Sequence, residues 1–372
     1  MRIALICPQL PPYYNGCGDA TDRLAREFQR RGCSTLVLTD DVKTTVHPYP
    51  TESVGAWDLH SVVQTKRQLD AFDPSIVLMQ YTPFLYHPRS MYPYLAMKAL
   101  RRYRRVTYVH ECFYPASSIA VRSRAKAAYL QMRDNAVIAA SDTIYVASPQ
   151  REAALVEKAP SARSKVRVVP FGANVEPAGT LPPRRTPQPP YRLTAFGIVL
   201  RRRRLELLVA ALAELRARGM QAELNIIGRI QEPAYRAECE ALAAQLGVAD
   251  AVRFAGPLAP LELARAFAQC DLFLHAAEEG AIPSAGSLLA ALAHGVPVLC
   301  ASTPYDDDRF AGAALFAQPG ASAMADAIER VLGAPDELQA RATLSRALYD
   351  QEFGWSRMAD RIAADARLPK AS

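Results

Sequence analysis

The sequence predicts an α/β protein with two doubly wound parallel sheets in tandem. Strand-length apolar runs alternate with helix-periodic runs along almost all of the 372 residues, a pattern typical of parallel sheets. The alternation stops once, at Glu176–Pro190, where six prolines stand without apolar periodicity. This segment is predicted to link two domains. With 50% hydrophobic residues, the chain is long enough to form two cores.

The first domain is predicted over residues 1–175. The helix expected at Asp19–Arg31 carries Leu24, Ala25 and Phe28 on one face and is expected to end at Gly32. The strands of this domain are expected at Arg2–Cys7, Ser34–Leu38, Ile76–Gln80, Val106–His110, Thr143–Ala147 and Val166–Pro170.

The second domain is predicted over residues 191–352, and its clearest helix is Leu205–Arg218. Two such domains are expected to meet in a cleft at the carboxyl ends of their strands. The amphipathic segment Phe353–Leu368 is predicted to pack back on the first domain with Trp355 as an anchor, so residues 353–372 are counted with it. The strands of the second domain are expected at Leu193–Gly197, Glu223–Gly228, Val252–Gly256, Asp271–His275, Val296–Cys300 and Ala313–Ala317.

Composition argues against several classes of protein. No run of 18 apolar residues is present, so no transmembrane helix is expected, and the start of the chain is a poor signal peptide. The seven cysteines are scattered and never form a CxxC, which is typical of reduced thiols in a cytoplasmic protein. We therefore expect a cytoplasmic protein with no metal site and no cofactor. The acidic run Asp306-Asp307-Asp308 is interpreted as solvated.

The net charge of +7 points to an anionic partner. Basic residues cluster at Lys98–Arg105, Arg122–Lys126 and Arg201–Arg204. Nucleic acid is the weakest candidate, because no nucleic-acid-binding motif is visible. A phosphate-bearing small molecule and an anionic membrane surface remain. Lys98–Arg105 is interpreted either as a solvated helix face or as a peripheral membrane contact for a lipid-linked acceptor.

The segment Glu278–Cys300 is the most informative part of the chain. A turn-rich loop follows an apolar strand, a helix opens at Ser287, and Gly295-Val296-Pro297 turns into another buried strand. The start of a helix offers free N–H groups and the positive end of the helix dipole, which suits a diphosphate. The alternative is an ordinary strand–loop–helix crossover that needs no ligand.

Several further motifs occur in a fixed order along the chain. They are Gly16-Cys17-Gly18-Asp19, Met79–Phe84, Tyr108–Glu111, Val168–Asn174, Ala195–Leu208, Leu224–Arg229, Val252–Gly256, Leu288–Val298 and Phe353-Gly354-Trp355. In this order and spacing the chain resembles the bacterial family 4 glycosyltransferases, which have the GT-B fold. The resemblance implies a nucleotide-diphosphate-sugar donor, an acceptor hydroxyl and retention of anomeric configuration by front-face attack. A glycan, a lipid-linked molecule and a natural product all remain as acceptors.

The chain also departs from the family pattern. The family usually has two glutamates around the loop, and the second position is Ala290 here, while a usual arginine after Gly197 is Ile198. The loop is similar to a subgroup in which Glu279-Gly280 and Gly286-Ser287 occupy the corresponding places. These departures motivate an alternative, a non-catalytic GT-B protein that binds a nucleotide sugar or serves as a partner subunit of another transferase.

Three residues are predicted to be catalytic. His110 ends an apolar strand, where ligands bind in open α/β sheets, and the resemblance implies that it contacts the sugar. Arg203 lies six residues after Gly197, where the family has a basic residue on the phosphate, and an arginine fork suits that group. Glu279 is expected to hydrogen bond to donor-sugar hydroxyls.

Further residues are assigned to the two substrates by their places in these motifs. Asp19 is also expected to cap its helix. The predicted acceptor-side residues are Asp19, Gln80, Tyr81 and Glu111. The predicted donor-binding residues, besides Glu279, are Gly16, Gly18, Arg202, Arg204, Gly228, Arg229, Phe254, Gly280, Gly286, Ser287 and Leu288.

Overall fold

The computed structural model describes residues 1–13, 16–40, 47–87, 90–112, 124–173, 175–177 and 183–367. The chain divides into two compact units. Unit 1 comprises Met1–Gly172 with Trp355–Ser372, and unit 2 comprises Ala173–Gly354. Parts of four predicted segments lie outside the described residues: 178–182 of the linker, Asn174, residues 122–123 of a basic cluster and the tail after residue 367.

Each unit contains one parallel sheet. The strands of unit 1 are β1 (Arg2–Ile6), β2 (Ser34–Thr39), β3 (Thr51–Ser53), β4 (Ile76–Tyr81), β5 (Arg104–Val109), β6 (Thr143–Val146) and β7 (Val166–Val168). Those of unit 2 are β8 (Tyr191–Phe196), β9 (Ala222–Ile227), β10 (Val252–Gly256), β11 (Leu272–His275), β12 (Val298–Ala301) and β13 (Ala314–Ala317).

Helices connect the strands and cover the sheets. Short 3-10 turns lie at Pro160–Ala162, Arg201–Arg203, Ala249–Ala251 and Asp308–Phe310. The α-helices are α1 (Gly16–Arg30), α2 (Leu59–Phe72), α3 (Tyr92–Ala99), α4 (Arg124–Ala140), α5 (Pro149–Lys158), α6 (Leu205–Ala217), α7 (Pro233–Gln245), α8 (Pro260–Ala268), α9 (Gly286–Ala293), α10 (Ala321–Leu332), α11 (Pro335–Glu352) and α12 (Trp355–Arg367). Among the described residues, no helix is both long and apolar enough to span a membrane.

Both sheets are doubly wound, which confirms the predicted fold class. The order is β3-β2-β1-β4-β5-β6-β7 in unit 1 and β10-β9-β8-β11-β12-β13 in unit 2. The order therefore reverses between β1 and β4 in one sheet and between β8 and β11 in the other. Ligands of open α/β sheets bind at the carboxyl ends of the strands beside such a reversal, so these two places determine where functional side chains are sought.

The burial of the strands explains why apolar runs in the sequence predicted them correctly. Helices lie on both faces of each sheet, so a strand such as β4, which is buried along its whole length, reads as a continuous apolar run. All twelve predicted strands are present, and every end lies within two residues of its prediction. The additional strand β3 was missed because Thr51-Glu52-Ser53 is short, polar and largely exposed.

The last helix belongs to unit 1, as predicted. Trp355, Met358 and Ile362 of α12 are buried in one core together with Leu24 and Phe28 of α1. The helix begins directly beside the end of the first chain segment, because a Cβ atom on Gly172 would lie 2.7 Å from the Trp355 indole and backbone nitrogen. The predicted anchoring role of Trp355 is therefore confirmed.

Candidate functional site

The sheet of unit 2 brings the ends of β8 and β11 together. Gly197 follows β8 and leads through the turn Arg201–Arg203 into α6, while the loop after His275 leads into α9. Because β8 and β11 are neighbours at the reversal of strand order, these two connections lie side by side. The Glu278 N–H donates to the Arg202 carbonyl over 2.9 Å, which joins them directly.

Arg203 is the centre of this region. Its Nη1 lies 3.2 Å from Glu279 Oε1 and donates to Ser287 Oγ over 3.4 Å. The side chain is only 17% exposed, and its Nε has no hydrogen-bond partner among the described residues. Burial lowers the pKa of the guanidinium, and the Glu279 carboxylate opposes that effect. An arginine retains its charge in such a site, so this region holds a largely buried cation.

The start of α9 adds further donors. The helix begins at Gly286, one residue earlier than predicted, and no side chain caps it. The N–H groups of a first turn have no partner within the helix. Ser287 is 5% exposed and Leu288 is fully buried, so Leu288, which was predicted to bind the donor, has no accessible surface in this structure.

The loop between β11 and α9 is held by Asp306. Asp306 Oδ1 accepts the Ala281 N–H at 2.7 Å, and Oδ2 accepts the Thr303 N–H at 2.8 Å. Gly280 has φ +73°, and a Cβ atom there would lie 2.1 Å from Thr303 Oγ1. The interpretation of residues 306–308 as a solvated run is therefore wrong for Asp306, and also for Asp307, whose carboxylate is buried and accepts from Arg309.

His275 is a residue of this region that sequence reasoning missed. It is 4% exposed and its Nε2–H donates to the Gly280 carbonyl over 3.0 Å. Burial and the nearby Arg203 charge lower its pKa to about 4, so the ring is neutral at pH 7. The hydrogen bond from His275 to the Gly280 carbonyl fixes the first half of the loop that carries Glu279. Its place at the end of a predicted strand is the signal that could have found it.

Glycines at the strand ends allow close packing of the backbone. Gly228 has φ +145°, and a Cβ atom there would lie 1.8 Å from the Gly197 carbonyl oxygen. Gly228 N–H donates to Gly256 O over 2.9 Å, so the ends of β8, β9 and β10 form one continuous edge. Arg229 is exposed on this edge, and Phe254 is half-buried beneath the Arg236 guanidinium at 5.4 Å.

The four consecutive arginines have different environments. Arg201 pairs with Glu238 on the surface at 2.6 Å and is 61% exposed. Arg202 is exposed, and Arg204 is half-buried at φ +53° directly before α6. Arg203 is therefore the arginine of this run that lies against both Glu279 and Ser287.

In unit 1, His110 lies against Gln80. The His110 Nε2–H donates to the Gln80 side-chain oxygen over 2.6 Å, and the ring stacks on Phe171 at 5.0 Å. Arg151 donates to the His110 carbonyl. Burial and the Arg151 charge lower the pKa of His110 to about 3. The structure thus presents a neutral imidazole that a buried amide orients, at the carboxyl ends of neighbouring strands β4 and β5.

Two assignments in unit 1 require correction. Tyr81 is fully buried and donates to Asp134, which places it in the core rather than among acceptor-side residues. Asp19 does not cap its helix, because α1 begins three residues earlier at Gly16, and Asp19 lies in the first turn instead. Burial raises the pKa of Asp19 to about 6.

The other predicted residues of unit 1 occupy different environments. Gly16 and Gly18 lie in the first turn of α1, Gly16 exposed and Gly18 buried. Glu111 is exposed directly after His110.

The basic segment Lys98–Arg105 does not form one helix face. It spans the end of α3 and the start of β5. Arg102 donates to Asp73 over 2.9 Å, and Arg105 donates to Asp142 over 2.6 Å. These aspartates neutralise part of the predicted cationic patch, and its contact with a membrane stays a prediction.

The two departures from the family pattern are visible in unit 2. Ala290 is fully buried within α9, whereas Ile198 is 38% exposed beside Gly197.

The described residues contain no cluster of three His, Cys, Asp or Glu side chains that could hold a metal ion.

Two family models match successive parts of the chain. Residues 14–177 match the family model described as Glycosyltransferase Family 4, and residues 190–334 match that of Glycosyl transferases group 1. No protein of curated function matches the sequence.

Solved structures share the fold along the whole chain. Sucrose-phosphate synthase from Thermosynechococcus elongatus is 20% identical, with a TM-score of 0.71 over 98% of both chains. A glycosyltransferase from Rickettsia africae is 14% identical, with a TM-score of 0.76 over 98% of this chain and 97% of that one. HepE of Anabaena, solved with UDP and glucose, is 16% identical, with a TM-score of 0.71 over 98% of this chain and 99% of that one.

Proposed function

This chain is a glycosyltransferase of the family 4 type with a GT-B fold, and we propose that it moves a sugar from a nucleoside-diphosphate sugar to an acceptor hydroxyl with retention of anomeric configuration. The observation that carries the proposal is the largely buried Arg203 guanidinium beside the start of α9. A ligand that carries two adjacent negative phosphates matches that combination of a cation and backbone donors.

Arg203 and α9 serve the leaving group. When the bond at the anomeric carbon breaks, negative charge grows on the departing diphosphate. Arg203 shares Nη1 between Glu279 and Ser287, so a phosphate oxygen can take over this donor. A preorganised donor aimed at developing charge is worth about 3–4 kcal/mol. The guanidinium and the helix start supply positive charge, and the proposal therefore requires no metal ion.

Glu279 and His110 serve the sugar. Glu279 loses its ion pair when the diphosphate occupies Arg203, and its carboxylate then accepts hydrogen bonds from donor-sugar hydroxyls. His110 contacts the sugar as a neutral imidazole, oriented by Gln80. The departing phosphate takes the proton of the acceptor hydroxyl on the same face, which accounts for retention without a separate base. The acceptor is a glycan, a lipid-linked molecule or a natural product.

UDP-hexoses are the first donors to test. HepE of Anabaena was solved with UDP and glucose and with UDP-glucose, and its backbone superimposes on this chain over nearly the full length. We extend that donor class to the site at Arg203, with the exposed Arg229 and the half-buried Phe254 bordering the base.

The decisive experiment combines donor turnover with product analysis. Purified protein is given UDP-glucose and a panel of acceptors, and the anomeric configuration of the product is read by NMR. Retained configuration supports the proposal, while an inverted product from a single displacement rules out the front-face mechanism. UDP binding without hydrolysis or transfer would favour the non-catalytic alternative, which is consistent with the missing carboxylate at the buried Ala290.

A further inference from the structure

Tyr305 is an aromatic residue that the packing of unit 2 leaves in solvent. It is 64% exposed, and among the Phe, Trp and Tyr side chains that the structure describes it is the single exposed one. Most of a tyrosine side chain is an apolar ring, so it is favourable for a ligand to cover its exposed face. The question is therefore which ligand this ring meets.

A tight turn directly after β12 carries this ring. The turn spans Thr303–Asp306, and the Asp306 N–H donates to the Thr303 carbonyl across it over 3.5 Å. Pro304 occupies the second position, which suits its fixed φ, and Tyr305 occupies the third. The Tyr305 N–H donates to Thr303 Oγ1 over 3.2 Å, and Thr303 Oγ1 donates to Asp306 Oδ1 over 3.1 Å. The backbone that carries the ring is therefore fixed without a ligand.

The same turn is bonded to the loop that carries Glu279. Asp306 Oδ1 accepts the Ala281 N–H over 2.7 Å, and the Asp307 N–H donates to the Ala281 carbonyl over 2.9 Å. Gly280 lets the two segments approach closely, because a Cβ atom there would lie 2.1 Å from an oxygen of this turn. Tyr305 is thereby held in a fixed place beside the loop of Glu279.

The order of the strands places Tyr305 on one side of Glu279 and Arg203 on the other. The strand β11, which leads to Glu279, lies between β8, which leads to Arg203, and β12, which leads to Tyr305. Neighbouring strands are about 4.8 Å apart, so β8 and β12 are separated by about 10 Å. A diphosphate at Arg203 and a hexose at Glu279 would follow this edge in the same order, which leaves the far side of the hexose beside Tyr305.

We propose that the Tyr305 ring packs against a face of the donor hexose and thereby helps to select the sugar. The faces of a hexose ring present C–H groups, whose weak positive charge suits the negative face of an aromatic ring. The hydroxyls around the rim of the hexose stay available to Glu279. This role rests on the proposed function, because it requires the diphosphate of the donor at Arg203.

Calorimetric titration of the full chain with UDP and with UDP-glucose tests this role. UDP has no hexose, so Tyr305→Ala should leave UDP affinity unchanged, which also shows that the variant is folded. UDP-glucose should bind Tyr305→Ala at least about threefold more weakly than it binds the unsubstituted protein. Tyr305→Phe keeps the ring and should retain the affinity for both ligands.

The matched control is Leu344→Ala, which shortens a 45% exposed apolar side chain on α11. This variant should change neither affinity. Unchanged UDP-glucose affinity in Tyr305→Ala overturns the proposal. An equal loss of UDP affinity also overturns it, since the ring would then act on the nucleotide or on the fold. Equal losses in Tyr305→Phe and Tyr305→Ala would assign the effect to the hydroxyl instead of the ring face.

A second donor tests whether Tyr305 selects the sugar. UDP-galactose differs from UDP-glucose in the orientation of one hydroxyl, which changes the surface that the hexose presents to the ring. The ratio of the affinities for these two donors should move toward one in Tyr305→Ala and stay unaltered in Tyr305→Phe. A ratio that does not move in Tyr305→Ala would overturn the role in selection.

The same titrations separate this proposal from the proposed function. If UDP does not bind the unsubstituted protein, the donor site at Arg203 is refuted and the role of Tyr305 is refuted with it. If UDP binds and Arg203→Ala weakens it, while Tyr305→Ala binds UDP-glucose as tightly as the unsubstituted protein, the donor site stands. Only the role of Tyr305 is then refuted.

Discussion

Replacement of Arg203 by alanine tests whether this side chain binds the diphosphate of the donor. The side chain is 17% exposed and contacts Glu279 and Ser287, so its loss removes a desolvated cation rather than a surface charge. A hydrogen bond to a charged group contributes about 1.5–3 kcal/mol. UDP affinity should therefore fall by about 10- to 150-fold. If the arginine also meets charge that develops during transfer, kcat should fall by about 10²–10³.

The neighbouring Arg201 provides a matched control. The side chains of its ion pair with Glu238 are 61% and 55% exposed, and exposed pairs of this kind contribute little. Arg201→Ala should therefore change UDP affinity by less than about fivefold. Calorimetry measures affinity, and product formation with UDP-glucose measures kcat. A normal UDP affinity in Arg203→Ala, or a larger loss in Arg201→Ala, would refute the assignment.

The remaining predictions concern strand ends and the two histidines. In a urea titration, Gly228→Ala should lower the free energy of unfolding by more than about 3 kcal/mol, because its Cβ atom would lie 1.8 Å from a carbonyl oxygen. The control is Gly219→Ala, at a glycine with positive φ but open space around it, which should cost about 1–2 kcal/mol. Equal losses in the two variants would contradict the steric argument. The pKa of His275 is lowered to about 4, so the stability that its neutral form contributes is complete above pH 6.5. About 3 kcal/mol of the free energy of unfolding should be lost as the pH falls toward 4. His275→Gln should therefore show a flatter pH dependence of unfolding, and an unchanged slope would be evidence against this role of His275. Gln80→Leu should lower kcat by about tenfold to a hundredfold through misorientation of His110 while UDP affinity stays constant, and an unaltered kcat would refute the positioning role.

The sequence predicted the fold well because the signal is local. Strands buried on both faces read as apolar runs, and helices with one buried face read with a period of 3.6. Arg203 was singled out among four consecutive arginines by the resemblance, because it lies six residues after Gly197. The start of α1 was misjudged because Gly16 and Gly18 are typical of turns, yet both lie within the helix.

Contacts distant in sequence could not be predicted in the same way. The Asp306 carboxylate holds a backbone N–H 25 residues away, and nothing in its own segment indicates that partner. Gln80 and Tyr81 are adjacent in β4, so their side chains point to opposite faces of the sheet. This alternation alone does not reveal which of the two side chains contacts His110. In the structure it is Gln80.

The contact between Gly172 and Trp355 has a practical consequence for studies of this enzyme. The polypeptide departs from unit 1 and re-enters it at two residues in van der Waals contact. Residues Ala173–Gly354 are thus an insertion between Gly172 and Trp355 of unit 1. If they were removed, a peptide linker of a few residues, each spanning up to about 3.5 Å, could join Gly172 to Trp355. Such a shortened polypeptide would allow unit 1 to be produced and studied by itself.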